Sequence, residues 1–118
     1  MNDRDRGFWA GMESLLRTNK TILDRPKGTH HPRYPDMIYP LDYGYLEGTT
    51  SSDGDGIDVW SGSLGTKMLT GILCTFDTIK RDAEIKLLIG CTMDDLTVIR
   101  DFLKQMRTLY IPNPLTTQ

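Results

Sequence analysis

Apolar residues recur with helical spacing at the start of the chain. They are Phe8, Trp9, Met12, Leu15 and Leu16. This spacing predicts an amphipathic helix over residues 7–18. The apolar face of such a helix can cover the chain's own core or pack on a partner, and the first role is the simpler one.

Strand-like patterns follow the predicted helix. The segments with this character are Lys20–Asp24, Tyr43–Leu46, Ile57–Trp60, Lys67–Phe76 and Ala83–Ile89. Residues 25–42 hold four prolines and both histidines. Proline lacks a backbone donor and restricts its neighbour, so this segment is predicted to be a rigid extended loop. Residues 47–55 are rich in turn formers.

Helical spacing returns near the C-terminal end. Thr92 and Asp95 form the pattern of a helix N-cap box. The apolar residues that follow at helical spacing are Leu96, Ile99, Leu103 and Met106. They predict a helix over about 93–108, and the tail from Pro112 has little to bury. The pattern thus predicts a single α+β domain over 1–118, with a helix in 1–19, a mostly antiparallel β body in 20–91, a helix in 92–109 and a tail in 110–118.

Composition narrows the class of protein. The chain has 118 residues and a formal net charge of −2, with no block of basic residues. These values argue against nucleic-acid binding. No apolar run reaches the length of a membrane span and no signal-peptide pattern begins the chain. Cys74 and Cys91 lie in apolar stretches without metal spacing, so buried thiols and a cytoplasmic location are predicted.

Three carboxylates fall within residues 53–58. Asp53, Asp55 and Asp58 are separated by two glycines and an isoleucine. An EF-hand is excluded, because its fifth, sixth and twelfth positions would be Ile57, Asp58 and Leu64. An acidic surface turn, another calcium turn and a Mg²⁺ site remain open. Asp58 favours a cation site, since it begins an apolar strand where an unpaired carboxylate is costly.

A second charged group lies in residues 82–88. Strand alternation places Glu84 and Lys86 on one face, with Asp82 behind them. A solvated face with ion pairs would explain this pattern. If the strand instead lies beside Asp58, the acids converge around a lysine. Metal-binding carboxylates with nearby cations suit phosphate esters and anhydrides.

Two motifs together resemble soluble (family I) inorganic pyrophosphatase. The segment 53–59 resembles the family signature Asp-Gly-Asp-Pro-hydrophobic-Asp-hydrophobic. Upstream, residues 39–45 resemble its Tyr-Pro-x-x-Tyr-Gly-aromatic element. The resemblance implies an OB-like β-barrel and a Mg²⁺-dependent hydrolase that converts pyrophosphate to two phosphates with a water activated by two or more metal ions. Compact members of the family often form homo-oligomers.

The resemblance also implies roles for individual residues. Asp55 is implied as the general base. The implied metal ligands are Asp53, Asp58, Asp77, Glu84 or Asp82, and Asp24. The implied substrate-binding residues are Tyr43, Lys86, Arg107, Lys27 and Arg33.

The chain departs from the family pattern at the phosphate-binding end. Gly56 replaces the signature proline, and the hairpin before the Tyr-Pro element is missing. Arg107 would replace a lysine on the last helix, beside Met106 in place of a tyrosine. A hydrolase of another phosphoanhydride, such as a nucleotide, and a pyrophosphatase-like binding protein therefore remain alternatives. His30 and His31 are either phosphate contacts or solvent-facing loop residues.

Overall fold

The structure is a computed structural model that describes residues 1–116. Two helices and six strands follow one another along the chain. They are α1 (Asp3–Thr18), β1 (Thr21–Arg25), β2 (Asp42–Leu46), β3 (Asp58–Ser61), β4 (Leu69–Asp77), β5 (Asp82–Ile89), α2 (Met93–Phe102) and β6 (Arg107–Pro112). The α+β class, the first helix and the five predicted strands are therefore confirmed. The predicted tail partly forms β6, and its last residues, 117 and 118, lie outside the described residues.

The six strands form one sheet in the order β1-β2-β3-β5-β4-β6. All neighbours are antiparallel except β3 and β5, which are parallel. The predicted barrel is wrong, because the edge strands β1 and β6 pair only with β2 and β4. A helix lies over each face of the sheet, so apolar side chains are buried without barrel closure.

The two helices bury opposite faces of the sheet. Trp9 of α1 packs with Val59 and Leu87 on one face. Leu96 of α2 packs with Trp60 on the other. The neighbours Val59 and Trp60 point to opposite faces because strand side chains alternate. The N-terminal aromatic stripe thus covers the chain's own core through Trp9, which is 5% exposed. Neither helix among the described residues is long and apolar enough to cross a membrane.

The C-terminal helix is shorter than predicted. It ends at Phe102, and the chain turns and returns as β6 along β4. Arg100 ties the helix end to the new strand, since its guanidinium donates to the Thr108 hydroxyl (3.0 Å) and carbonyl (3.2 Å). The predicted helix was too long because Leu103 and Met106 continue the helical spacing of apolar residues. Both reach the core beneath α2, but Leu103 does so at the helix end and Met106 from the turn.

Asp95 fixes the start of α2 and is only 7% exposed. Its Oδ2 accepts hydrogen bonds from the backbone N–H of Thr92 (2.9 Å) and from the N–H (2.9 Å) and hydroxyl (2.8 Å) of Ser63. Its own N–H donates to the Thr92 hydroxyl, which completes the predicted capping box. Burial raises the pKa of Asp95, but these hydrogen bonds outweigh burial and lower it.

We expect Asp95→Ala to lower the free energy of unfolding by about 2 kcal/mol at pH 7, because it leaves buried donors without an acceptor. A depressed folded-state pKa means that the carboxylate stabilises the fold above its unfolded pKa, near 3.9, and loses this effect as the pH falls through the folded value. Urea unfolding at pH 7 and pH 3 measures the difference. The exposed Asp94→Ala is the control, and an equal loss in both variants would contradict the assignment.

Candidate active site

Lys86 lies at the centre of the predicted site and is 5% exposed. Its Nζ donates to the Tyr43 hydroxyl oxygen (2.8 Å), Asp58 Oδ2 (2.9 Å) and Glu84 Oε2 (3.1 Å). These contacts use all three ammonium protons. The predicted face shared by Glu84 and Lys86 is confirmed, and it is not a freely solvated face.

Sheet register brings these residues together. Val59 pairs with Leu87 in the parallel β3–β5 ladder, so Asp58 lies beside Lys86 one residue earlier. Across the antiparallel β2–β3 ladder, Tyr43 pairs with Trp60, two residues beyond Asp58 on the same face. The site therefore depends on the central strands of the sheet.

The electrostatics of this cluster hold a charged lysine beside a neutral tyrosine. Burial alone lowers the pKa of Lys86, but the Tyr43 oxygen and the Asp58 carboxylate raise it above its usual range. Burial raises the pKa of Tyr43 strongly, and the Lys86 ammonium offsets only part of that effect. At neutral pH Lys86 is thus charged, and its ammonium balances the nearby carboxylates.

The side chain of Asp53 stabilises the acidic turn, residues 53–58, by accepting hydrogen bonds. Its Oδ1 accepts hydrogen bonds from the Ser51 hydroxyl (2.7 Å) and the Asp55 N–H (2.9 Å). These donors hold the pKa of Asp53 below its usual range, and the Glu84 carboxyl group lies against it. The Asp55 side chain is exposed and makes no hydrogen bond among the described residues. The turn thus joins Asp53 to the Lys86 cluster and leaves the Asp55 carboxylate free.

Gly56 occupies the place of the signature proline for a steric reason. A Cβ at this position would lie 2.8 Å from the Leu46 carbonyl oxygen and 2.8 Å from Tyr45 Cδ2. A proline also carries a Cβ and would meet the same atoms. The backbone approach between this turn and β2 therefore requires glycine.

We expect Gly56→Ala to destabilise the protein by about 1–3 kcal/mol, because the neighbouring backbone must shift. Gly11→Ala is the matched control. Nothing lies within 4 Å of a Cβ at Gly11. Because alanine favours a helix more than glycine does, Gly11→Ala should raise the free energy of unfolding by about 0.5–1 kcal/mol. Urea unfolding of both variants tests the prediction, and stabilisation by both would contradict it.

Several predicted site residues lie further from Lys86. Asp77 and Asp82 pair at the far end of the β4–β5 hairpin. Asp77 Oδ1 accepts the N–H groups of Ile79 (2.9 Å) and Lys80 (3.0 Å), and these bonds lower its pKa. Of the two alternatives for the ligand on β5, the structure therefore brings Glu84, and not Asp82, to Lys86.

Three further predicted residues lie on β1 or in the proline-rich loop that follows it. Asp24 lies at a β-bulge near the Tyr39 hydroxyl, and Arg33 lies near His31. The Lys27 backbone N–H donates to Asp42 (2.8 Å), while its side chain is exposed.

The predicted position of Arg107 is wrong. It lies on β6 and not on a helix, and it pairs with Phe76. Lys86 pairs with Leu73, which packs beneath α2. Since Leu73 and Phe76 are three residues apart on one strand, Arg107 faces away from Lys86.

Sequence reasoning missed two contacts of this region. The Ser51 hydroxyl donates to Asp53. The sequence could have indicated this contact, because Ser51 lies two residues before the aspartate in a segment rich in turn formers. Lys80 lies near His31. No pattern in the sequence indicated that neighbour.

Mg²⁺ is the metal that the family generally uses. Among residues 1–116, no three carboxylate, histidine or cysteine side chains are arranged to hold one metal ion. Three carboxylates near Lys86 nevertheless keep one oxygen without a hydrogen-bond donor from the described residues. These oxygens are Asp53 Oδ2, Asp58 Oδ1 and Glu84 Oε1. Hard carboxylate oxygens are suitable Mg²⁺ ligands, so the chemistry of this donor set fits the metal.

Comparisons with known proteins match the part of the chain that contains most of these residues. A family model described as inorganic pyrophosphatase matches residues 12–84. The inorganic pyrophosphatases of Geobacillus stearothermophilus and Bacillus sp. strain PS3 are each 31% identical to this chain over an alignment of 88 residues, and the match covers 65% of this chain and 52% of the relative. A crystal structure of an inorganic phosphatase from Anaplasma phagocytophilum is similar with a TM-score of 0.46 and 17% identity, covering 78% of this chain and 81% of that one.

The chain spans about half the length of the curated relatives that it matches. The matched region contains the Tyr-Pro element, the acidic turn and Glu84, which meet around Lys86. The chain belongs to the inorganic pyrophosphatase family.

Proposed function

We propose that this protein hydrolyses inorganic pyrophosphate to two phosphates in a Mg²⁺-dependent reaction. The observation that carries the proposal is the buried Lys86 ammonium, held by Tyr43, Asp58 and Glu84 beside the acidic turn. This cluster combines a fixed positive charge with carboxylates that have free oxygens. Such a combination suits a phosphoanhydride, whose oxygens need cations and whose hydrolysis needs an activated water.

The acidic side of the site is assigned to the metal. Asp53, Asp58 and Glu84 would hold Mg²⁺, and Asp24 and Asp77 are further candidate carboxylates. When bound, Mg²⁺ supplies neutralising charge and acidifies coordinated water. Asp55 is proposed as the base that accepts a proton from the attacking water, since its carboxylate is exposed and makes no hydrogen bond among residues 1–116.

The cationic side of the site is assigned to the phosphoryl groups. Lys86 and Tyr43 would contact phosphate oxygens at the centre. Arg33 and Lys27 extend from the proline-rich loop, where both are exposed. Arg107 is left out because it faces away from Lys86. The cytoplasmic location and the homo-oligomer remain predictions.

A nucleotide is the second candidate substrate. Tyr34 is 55% exposed and lies 5.1 Å from the His31 ring, centroid to centroid, in the loop that carries Arg33. An exposed aromatic ring beside cations is a surface on which a base can stack. The observation is weaker than the Lys86 cluster, because it concerns the periphery of the site.

A substrate panel separates these candidates. Phosphate release is measured with Mg²⁺ and either pyrophosphate or a set of nucleoside triphosphates. We expect release from pyrophosphate to exceed that from each nucleotide by at least about tenfold, a difference of about 1.4 kcal/mol in transition-state binding. Faster release from a nucleotide would favour the second candidate. Metal-dependent thermal stabilisation without any turnover would favour a binding protein.

A further inference from the structure

Trp60 lies on the central strand β3, directly beside the Lys86 cluster. It pairs with Tyr43 on β2 and with Leu88 on β5, and its side chain is only 1% exposed. Strand alternation puts Trp60 on the same face as Asp58, two residues earlier. The indole therefore shares the face of the sheet that carries the candidate active site.

The ring of Tyr43 packs closely against this indole. The centroids of the Trp60 and Tyr43 rings are 4.6 Å apart, with their planes inclined at 56°, and the Tyr39 ring lies 5.8 Å from Tyr43. The Tyr43 hydroxyl oxygen is 2.8 Å from Lys86 Nζ, which lies 5.2 Å from the centroid of the Tyr43 ring. The indole thus limits the orientations in which the phenol can contact Lys86.

The indole is itself held in place by α2. Phe102, the last residue of that helix, meets Trp60 edge-on with the ring centroids 5.7 Å apart. The same ring packs against Tyr39 at 4.7 Å, and Leu96 of α2 belongs to the same buried cluster. Close packing from several elements restricts a side chain to one rotamer. Trp60 therefore presents a fixed wall to Tyr43.

The indole N–H of Trp60 is buried without a hydrogen-bond acceptor among residues 1–116. A buried donor that is left unpaired lowers stability, and buried indoles usually have an acceptor. Phenylalanine or leucine would fill a core position without this cost. The presence of tryptophan is therefore explained better by the geometry that it imposes on its neighbours than by its contribution to stability.

We propose that Trp60 is a positioning residue, which holds the Tyr43 hydroxyl in the orientation that the reaction uses. This step rests on the proposed function, in which Tyr43 contacts a phosphate oxygen. The Tyr43 oxygen accepts a hydrogen bond from Lys86 and keeps its own hydroxyl hydrogen, which it can donate to the phosphate. A misplacement of about 1 Å at such a contact can slow a reaction about 100-fold. Trp60 therefore affects turnover through Tyr43 and without contacting the substrate.

Substitutions of Trp60 separate positioning from core packing. Trp60→Leu should lower kcat and kcat/KM together by about tenfold, because the phenol loses its wall. Trp60→Phe keeps an aromatic wall and should remain within about threefold of the wild type. Ile99→Ala is the control, since Ile99 is a fully buried residue of the same cluster. It should lower the melting temperature but leave kcat unchanged. Equal losses of kcat in Trp60→Leu and Ile99→Ala would contradict the proposal.

A double-mutant cycle tests whether Trp60 acts through the phenol. In the Tyr43→Phe background, Trp60→Leu should have little further effect on kcat, because the hydroxyl that it positions is already absent. Losses that multiply in the double variant would show that the two residues act independently. That result would overturn the positioning role and leave pyrophosphate hydrolysis by this protein standing.

NMR of the wild-type protein tests the packing without substrate. The chain has five tyrosines, and Tyr43→Phe assigns the Tyr43 ring signals in protein with isotope-labelled tyrosine. A ring packed this closely should flip slowly and give separate signals for its two edges, whereas Trp60→Leu should merge them. A single averaged signal in the wild type would overturn the proposal, whether or not Trp60→Leu folds. Slow flipping in a wild-type protein that does not hydrolyse pyrophosphate would instead contradict the proposed function, so the two failures are distinguishable.

Discussion

Lys86→Met is expected to reduce phosphate release from pyrophosphate by about 100-fold or more. The ammonium is the buried cation that contacts Asp58, Glu84 and Tyr43, and loss of one preorganised charge-stabilising donor typically costs this much. Methionine keeps an unbranched apolar stem and lacks only the terminal ammonium. The change should also lower the free energy of unfolding by about 2 kcal/mol, less than for a fully buried pair because the carboxylates are about a fifth exposed.

Lys67→Met is the control for this variant, since its side chain is exposed. Both proteins should remain folded by circular dichroism at 25 °C, and rates are compared there. Lys86→Met with near wild-type turnover would remove Lys86 from the proposed site. A variant that is unfolded at 25 °C would mean that the stabilising contribution of the cluster is far larger than stated.

Asp58→Asn is expected to reduce Mg²⁺-dependent phosphate release by about 100-fold or more, while the fold survives. Asparagine keeps the shape of the side chain and an oxygen that can accept the Lys86 hydrogen bond. It removes the negative charge that makes the carboxylate a good Mg²⁺ ligand. We therefore expect the Mg²⁺ concentration for half-maximal activity to rise, a shift that purely structural damage would not produce.

Asp101→Asn is the matched control, because Asp101 is an exposed residue of α2. It should leave both turnover and the Mg²⁺ requirement unchanged. If Asp58→Asn loses turnover with an unchanged Mg²⁺ requirement, its role lies in positioning Lys86 and not in metal binding.

The sequence was sufficient for the local part of the site. Strand alternation alone placed Glu84 and Lys86 on one face, whereas the steric reason for the glycine at position 56 is visible only in the structure. The contact of Lys86 with Asp58 depends on the parallel pairing of β3 and β5, which are separated by a long β4. Alternation within one strand cannot indicate that neighbour, and the family resemblance was needed for it.

The wrong predictions depend on which distant segments of the chain pack or pair with each other. The helical spacing of Leu103 and Met106 continued past the true end of α2, because a turn and a helix placed both residues in one core. This error put Arg107 on a helix, whereas its pairing with Phe76 faces it away from Lys86. The barrel was wrong because closure depends on whether edge strands meet, and strand patterns do not contain that information.

The most direct test of the account is phosphate release from pyrophosphate by the full chain, with and without Mg²⁺, beside Asp58→Asn. We predict Mg²⁺-dependent release by the wild-type protein that disappears with chelation and is reduced by about 100-fold or more in the variant. Release no faster than buffer by folded wild-type protein with Mg²⁺, or equal release by Asp58→Asn, would contradict the proposal that the Lys86 cluster is a pyrophosphatase active site.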